Sequence, residues 1–304
     1  MLTLADSVHG VPTRPSAERR WINRIRTEFA LEMDTKDQTS SSLLRYKAWW
    51  FDTARQCLAE FLGDLMFILI GSLASGTSSI SSGSGSPVTA AFGQGLTMAS
   101  LIISIGHISG GHFNPAVTIG FLLVKAIHPI RALLFIIAQL LGGFFGALFV
   151  RLVTSASLYE QSYNGITTVA HPDQISSGEA IACELILTYF LVQTILCSFV
   201  ETNGSNLLGA LAVGFVIAVD ILAGGGISGA SMNPARSFGP SLAASIYKSW
   251  TKNGISARDD PWAYQYVYWV GPTLGAMLAA LVYKLILAND EKRWLLRSVS
   301  AKSP

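Results

Sequence analysis

Long apolar runs dominate the pattern of this chain, and short polar connections separate them. Each run is near twenty residues long, which is the length that an α-helix needs to cross the hydrocarbon core of a bilayer. The pattern therefore predicts six transmembrane helices, an even number that leaves both termini on one side of the membrane. These runs cover residues 57–74, 88–106, 132–150, 180–200, 207–224 and 266–283.

Two polar motifs of similar sequence interrupt the apolar pattern. The first, ISGGHFNPAV, covers residues 108–117, and the second, ISGASMNPAR, covers residues 227–236. Asn is a favoured helix N-cap and Pro a favoured first residue, so each Asn-Pro-Ala triplet predicts a helix start. The apolar pieces that follow, 114–124 and 233–246, are too short to cross a bilayer and are predicted to be re-entrant half-helices. The triplets consist of Asn114, Pro115, Ala116, Asn233, Pro234 and Ala235.

The order of these features repeats along the chain. Residues 54–155 and 178–288 each contain three spans, with one triplet between the second and the third. Because three is odd, the second unit starts on the opposite face of the membrane, and the repeat is inverted. The two half-helices then meet at their N-termini. The Ser-Gly-rich backbone before each triplet is predicted to line a water-filled path, since non-helical backbone at this depth needs protein or water around it.

The composition agrees with a membrane protein and limits the partners. Hydrophobic residues make up 50% of the chain and charged residues only 13%, unlike an ordinary soluble domain. A net charge of +2 is too small to indicate a nucleic acid as partner. The three cysteines all fall within predicted spans, so neither a disulfide nor a metal site is expected.

The distribution of Lys and Arg predicts the orientation. The first 55 residues carry nine of them and the tail from Lys284 carries five, whereas residues 75–87 and 155–177 carry none. The positive-inside rule therefore predicts that the segments 1–53 and 289–304 are cytoplasmic, with the channel domain at 54–288 between them. One connection that is predicted to lie on the outer side contains basic residues and so disagrees with this rule. No cleavable signal peptide or organelle signal is evident, which favours the plasma membrane.

At these motifs the sequence resembles the aquaporin, or major intrinsic protein, family. The resemblance covers both triplets, Arg236, the pair of Glu residues in the first and fourth spans, and YWVGP in the last span. It implies an all-α membrane protein with the aquaporin fold: six transmembrane helices and two half-helices in an inverted 3+3 repeat. It also implies a homotetramer in the lipid bilayer, with one pore in each subunit. Neither a cofactor nor an enzymatic activity is implied.

The resemblance assigns roles to several residues. The amides of Asn114 and Asn233 are expected to donate to one passing oxygen at the pore centre, where both helix N-termini place positive charge. Water and neutral solutes then pass, and hydronium and ions are excluded. A second group is expected to hold the re-entrant loops in shape. This group contains Glu60, Glu184, His107 and His112.

The narrowest point of the pore is located by spacing from the triplets. It is predicted to be formed by Gln94, Ile221, Ala230 and Arg236, with Arg236 as a donor and a cation barrier. Strict water channels have an aromatic residue and a His where Gln94 and Ile221 lie, so a wider filter is predicted here. Ser237 and the pair Tyr268-Trp269 are of the water-channel type rather than the glycerol-facilitator type.

The resemblance is closest to the branch known as aquaammoniaporins. We therefore predict passage of water, ammonia, hydrogen peroxide and urea, with glycerol as a further candidate. That branch usually has His where this chain has Gln94, which leaves the preference for ammonia open because Gln cannot titrate.

Three other classes of function compete with a channel. A coupled secondary transporter also uses inverted repeats and broken helices, but Arg236 is the only charge near the triplets. An intramembrane enzyme would need a catalytic arrangement of Ser, His and Asp, or HExxH, and neither pattern is present. A non-conducting adhesion protein could share the fold. Asp64 and Asp220 are expected to be satisfied by helix neighbours and receive no role.

Overall fold

The described part of the protein is helical. The computed structural model describes residues 39–82, 86–161, 173–201, 207–251, 260–289 and 292–293, so most of the predicted cytoplasmic segments lie outside the described residues. Within that part, the helices are α1 (Thr39–Ser82), α2 (Pro87–Ser109), α3 (Pro115–Leu123), α4 (Pro129–Val153), α5 (Ala156–Gln161), α6 (Ser177–Ile195), α7 (Leu207–Gly224), α8 (Pro234–Thr251) and α9 (Val267–Val282). Short π-helical turns, Leu196–Glu201 and Tyr283–Leu287, follow α6 and α9.

Six helices in the described residues are long and apolar enough to cross a membrane, as the sequence predicts: α1, α2, α4, α6, α7 and α9. α1 packs against α2 and α4, and α6 packs against α7 and α9 in the same way. Each half-helix packs against the last span of the opposite repeat, α3 against α9 and α8 against α4. The fold is therefore the predicted inverted repeat with two half-helices.

Two helices extend well beyond their predicted limits. α1 begins at Thr39, well before residue 57, because the chain has no Gly or Pro between Ser16 and Leu62 to end a helix, and hydropathy detects only its apolar part. The second half-helix continues to Thr251 rather than to residue 246, with Pro240 inside it.

Backbones approach closely where the two repeats meet. A Cβ atom on Gly95 of α2 would collide with the carbonyl oxygen of Gly214 on α7, and a Cβ atom on Gly214 would collide with that of Gly95. Small residues at such crossings allow helices in a membrane to pack backbone against backbone. This contact brings the two middle spans together, and both line the cavity described below.

Helix neighbours do not fully satisfy the two buried aspartates in the described part, contrary to the expectation from sequence. Asp64 on α1 is fully buried, and no residue of its own helix donates a hydrogen bond to its carboxylate in the described part, although the side-chain amide of Asn233 lies beside it. The residue packed against it on α4 is Gly142, which has no side chain to donate a hydrogen bond. Asp220 on α7 likewise has one oxygen, Oδ2, without a partner in the described part.

Candidate functional site

Each Asn-Pro-Ala triplet begins a half-helix. Asn114 caps α3, and its Oδ1 accepts a hydrogen bond of 2.8 Å from the backbone N–H of Ala116. Asn233 precedes α8, and its Oδ1 accepts from the N–H groups of Ala235, at 2.9 Å, and Arg236, at 3.3 Å. The Pro that follows each Asn costs nothing, because a first-turn N–H would have no partner in the helix.

The two half-helices are bonded to each other at these starts. Nδ2 of Asn114 donates to the carbonyl oxygen of Met232 over 2.8 Å, and Nδ2 of Asn233 donates to that of Phe113 over 2.8 Å. The bonds are reciprocal, so each triplet fixes the loop before the other. A side-chain amide nitrogen carries two hydrogens, and each of these bonds uses only one.

Glu60 on α1 holds the first loop. Its Oε1 accepts from the hydroxyl of Ser109 at 2.5 Å and from the N–H of His112 at 3.0 Å, and its Oε2 accepts from the N–H of Phe113 at 2.7 Å. Backbone amides that no helix or sheet satisfies thus receive a buried acceptor. The carboxylate has no exposed surface.

Glu184 on α6 makes the matching contacts with the second loop. Oε1 accepts from the hydroxyl of Ser228 at 2.7 Å and from the N–H of Ser231 at 2.8 Å, and Oε2 accepts from the N–H of Met232 at 2.7 Å. The inverted repeat therefore extends to individual hydrogen bonds.

The two histidines of the first loop differ. His112 is buried, its Nδ1 lies 3.1 Å from Oγ1 of Thr118, and its ring packs against Phe121. His107, which the sequence places in the loop support, is exposed on α2 and forms no hydrogen bond to the loop among the described residues. The buried face of this helix end carries Gly106 and Ser109, and a residue at position 107 points away from it.

Sequence reasoning missed two further contacts to the loops. Nε2 of Gln139 on α4 donates to Oε2 of Glu60 at 2.7 Å and to Thr118 at 2.9 Å. The hydroxyl of Tyr268 on α9 donates to the carbonyl oxygen of Ser228 at 2.6 Å. Gln139 is the only residue with a polar side chain between Ala132 and Val150. A polar residue inside a membrane span usually has a specific role, so the sequence could have indicated this contact.

The backbones of the two loops are strained at equivalent positions. Phe113 and Met232, the residues directly before the two triplets, have φ of 43° and 55°, and Ala230 has φ of 46°. Such values are uncommon for residues with a side chain. Loops of this conformation persist because the carboxylates and the reciprocal amide bonds determine their shape.

A cavity passes between the two loops. Both Asn114 and Asn233 line it, as do the loop residues His112 and Ser231. The rest of its wall is mainly apolar and comes from α1, α2, α3, α6 and α7, with Gln94 as a polar exception. The wall consists of Phe67, Gln94, Met98, Ile102, Gly111, His112, Asn114, Val117, Leu191, Ile195, Val213, Ile217, Ser231, Met232 and Asn233.

The predicted filter residues are only partly brought together. Nε of Arg236 donates to Oε1 of Gln94 over 2.7 Å, so these two are in direct contact. Ile221 and Ala230 are buried, and within the described part neither forms the wall of this cavity. Of the four, Gln94 is therefore the residue that faces the cavity described here.

Six spans, two half-helices joined at their N-termini and a cavity between them define a pore protein of the membrane. The family model of major intrinsic proteins matches residues 47–283. Aquaporin-8 of Rattus norvegicus is 31% identical over 267 residues, which cover 88% of this chain and 94% of the relative. Aquaporin TIP1-2 of Musa acuminata is 38% identical over 245 residues, 76% of this chain and 86% of the relative.

A solved structure agrees with these relatives. The aquaglyceroporin from Plasmodium falciparum has a TM-score of 0.65 and 25% identity, and the match covers 77% of this chain and 97% of that one. The chain belongs to the major intrinsic protein family. It is a passive membrane channel for water and small solutes, and nothing in these comparisons supports a coupled transporter.

Proposed function

We propose that this channel admits water and small neutral solutes, excludes protons and ions at the joined half-helix starts, and selects solutes at a filter containing Gln94 and Arg236. The observation that carries the proposal is the reciprocal bonding of Asn114 and Asn233, which keeps two helix N-termini facing one point of the cavity. It is a channel and not an enzyme.

Proton exclusion follows from electrostatics at that point. The N-termini of α3 and α8 both direct partial positive charge toward it, which disfavours hydronium and other cations. The second hydrogen of each Asn amide is available to a water oxygen held between them. A water that accepts from both sides cannot pass a proton along the file.

Solute selection is assigned to Gln94 and Arg236. Arg236 supplies a positive charge and Gln94 an uncharged amide, while the predicted filter positions Ile221 and Ala230 are apolar. Ions would lose hydration without compensation there. Ammonia, hydrogen peroxide and urea are uncharged and small, and glycerol is a further candidate.

We also propose that the protein is a homotetramer of the plasma membrane with cytoplasmic termini. Many large apolar side chains are exposed on the spans, such as Leu133, Ile186 and Phe215, and they suit contact with lipid or with further subunits. The excess of Lys and Arg before α1 and after α9 supports the orientation.

A double substitution tests the filter. Replacing Gln94 by Phe and Ile221 by His gives this chain the residue types that strict water channels have at these two positions. Each substitution adds a ring, which should narrow the filter. In proteoliposomes we expect urea permeability to fall about ten-fold, while osmotic water permeability changes by less than about three-fold. Stopped-flow light scattering measures both quantities. Equal losses of the two would show that these residues do not select solutes.

A further inference from the structure

A chain of hydrogen bonds holds Gln94 in place. It starts on α1, a helix that contains none of the predicted filter residues. The hydroxyl of Ser75 on α1 donates to the carbonyl oxygen of Gly71 at 2.9 Å. Nε2 of Gln94 donates to Oγ of Ser75 at 3.2 Å, and Oε1 of Gln94 accepts from Nε of Arg236 at 2.7 Å. Three helices, α1, α2 and α8, therefore meet at one amide.

The direction of these bonds fixes the orientation of the amide. The Ser75 hydroxyl gives its hydrogen to Gly71, so its oxygen accepts from Gln94. The guanidinium of Arg236 can only donate, which requires the carbonyl oxygen of Gln94 to face it. A reversed amide would place two donors against each other at Arg236 and lose the bond there.

Gly71 supplies the space for the same side chain. A Cβ atom at Gly71 would lie 3.0 Å from Cγ of Gln94, which is closer than side chains normally pack. Gly71 and Ser75 are four residues apart and lie on one face of α1. Gly71 therefore packs against the aliphatic part of Gln94, and Ser75 binds its amide.

We propose that Ser75 is a positioning residue of the solute filter, which acts by holding Gln94, a residue of the cavity wall, against Arg236. The inference rests on the proposed function, in which these two residues select solutes. Gln94 lines the cavity, so its position determines the width left for a solute. A released Gln94 rotates away, and Arg236 loses its bond to the amide oxygen.

Replacing Ser75 by Ala tests this proposal in proteoliposomes. We expect the ratio of urea to water permeability to rise by about three- to ten-fold, the change that one hydrogen bond supports. Ser75→Thr keeps the hydroxyl and should retain the wild-type ratio. Ser104→Ala is the matched control, because Ser104 bonds only to a carbonyl of its own helix among the described contacts and lies on the exposed side of α2.

Two further variants separate positioning from general damage. In a Gln94→Ala background, Ser75→Ala should change the ratio no further, since Ser75 acts through Gln94. Gly71→Ala leaves the hydroxyl in place but displaces Gln94, and it should raise the ratio as well. An unchanged ratio in Ser75→Ala, or an undiminished effect of Ser75→Ala without Gln94, overturns the proposal. Failure of the wild-type protein to exceed empty vesicles in water permeability would instead refute the channel itself.

Discussion

Glu184→Leu is expected to abolish the folded channel. Leucine has a similar volume but no acceptor, so the N–H groups of Ser231 and Met232 and the hydroxyl of Ser228 would all be buried without their partner. Each such loss costs about 1–3 kcal/mol, and together they are comparable to the stability of an ordinary domain. We expect a large drop in thermal stability in detergent and osmotic permeability equal to that of empty vesicles.

The matched control lies one turn further along the same helix. Thr188 is also fully buried, but its hydroxyl has no hydrogen-bond partner among the described residues. Thr188→Val should therefore leave stability unchanged or slightly raised, and water flux near the wild-type value. Glu60→Leu should match Glu184→Leu, because Glu60 makes the equivalent bonds. Wild-type stability in Glu184→Leu would contradict the assignment of these carboxylates as the supports of the loops.

Asn233→Ala is expected to have the second largest effect. It removes the cap of α8, which is worth about 1 kcal/mol, and it leaves the carbonyl oxygen of Phe113 without its donor. A buried acceptor without its partner adds about 1–3 kcal/mol. We expect destabilisation of about 2–4 kcal/mol and a fall in water permeability of about ten-fold or more. Thermal unfolding and stopped-flow light scattering check the two effects.

Asn233→Ser distinguishes the cap from the contact between the loops. Serine is a good N-cap, but its side chain is too short to replace the bond from Nδ2 to the Phe113 oxygen. We expect this variant to recover part of the stability and little of the water flux. Full recovery of flux would show that the contact between the half-helices is not needed for conduction.

The features that sequence predicts correctly are local or repeated. An Asn followed by Pro starts a helix wherever it lies, and the second copy of the motif already implies the inverted arrangement. Glu60 and Glu184 could be assigned because the family resemblance gave a role to charges that a membrane span otherwise disfavours. In the structure both carboxylates accept hydrogen bonds from the loop before a triplet, with the same bonds in both repeats.

The features that sequence misses depend on contacts between distant helices. Ser75 and Gly71 gain their importance only because α2 places Gln94 beside them. His107, which was predicted to support the loop, is exposed instead, because one position on a helix decides whether a side chain faces the loop or the exterior. Neighbouring helices do not satisfy Asp64 as expected in the described part, because α4 presents a glycine at that point.

One measurement tests the central claim most directly, namely that two joined half-helix starts let water through and stop protons. Wild-type protein is reconstituted into vesicles that contain a pH-sensitive dye, and osmotic shrinkage and internal pH are followed on the same preparation. We predict water permeability about ten-fold or more above that of empty vesicles, with proton entry no faster than in empty vesicles. Proton entry that rises in step with water permeability would contradict the account.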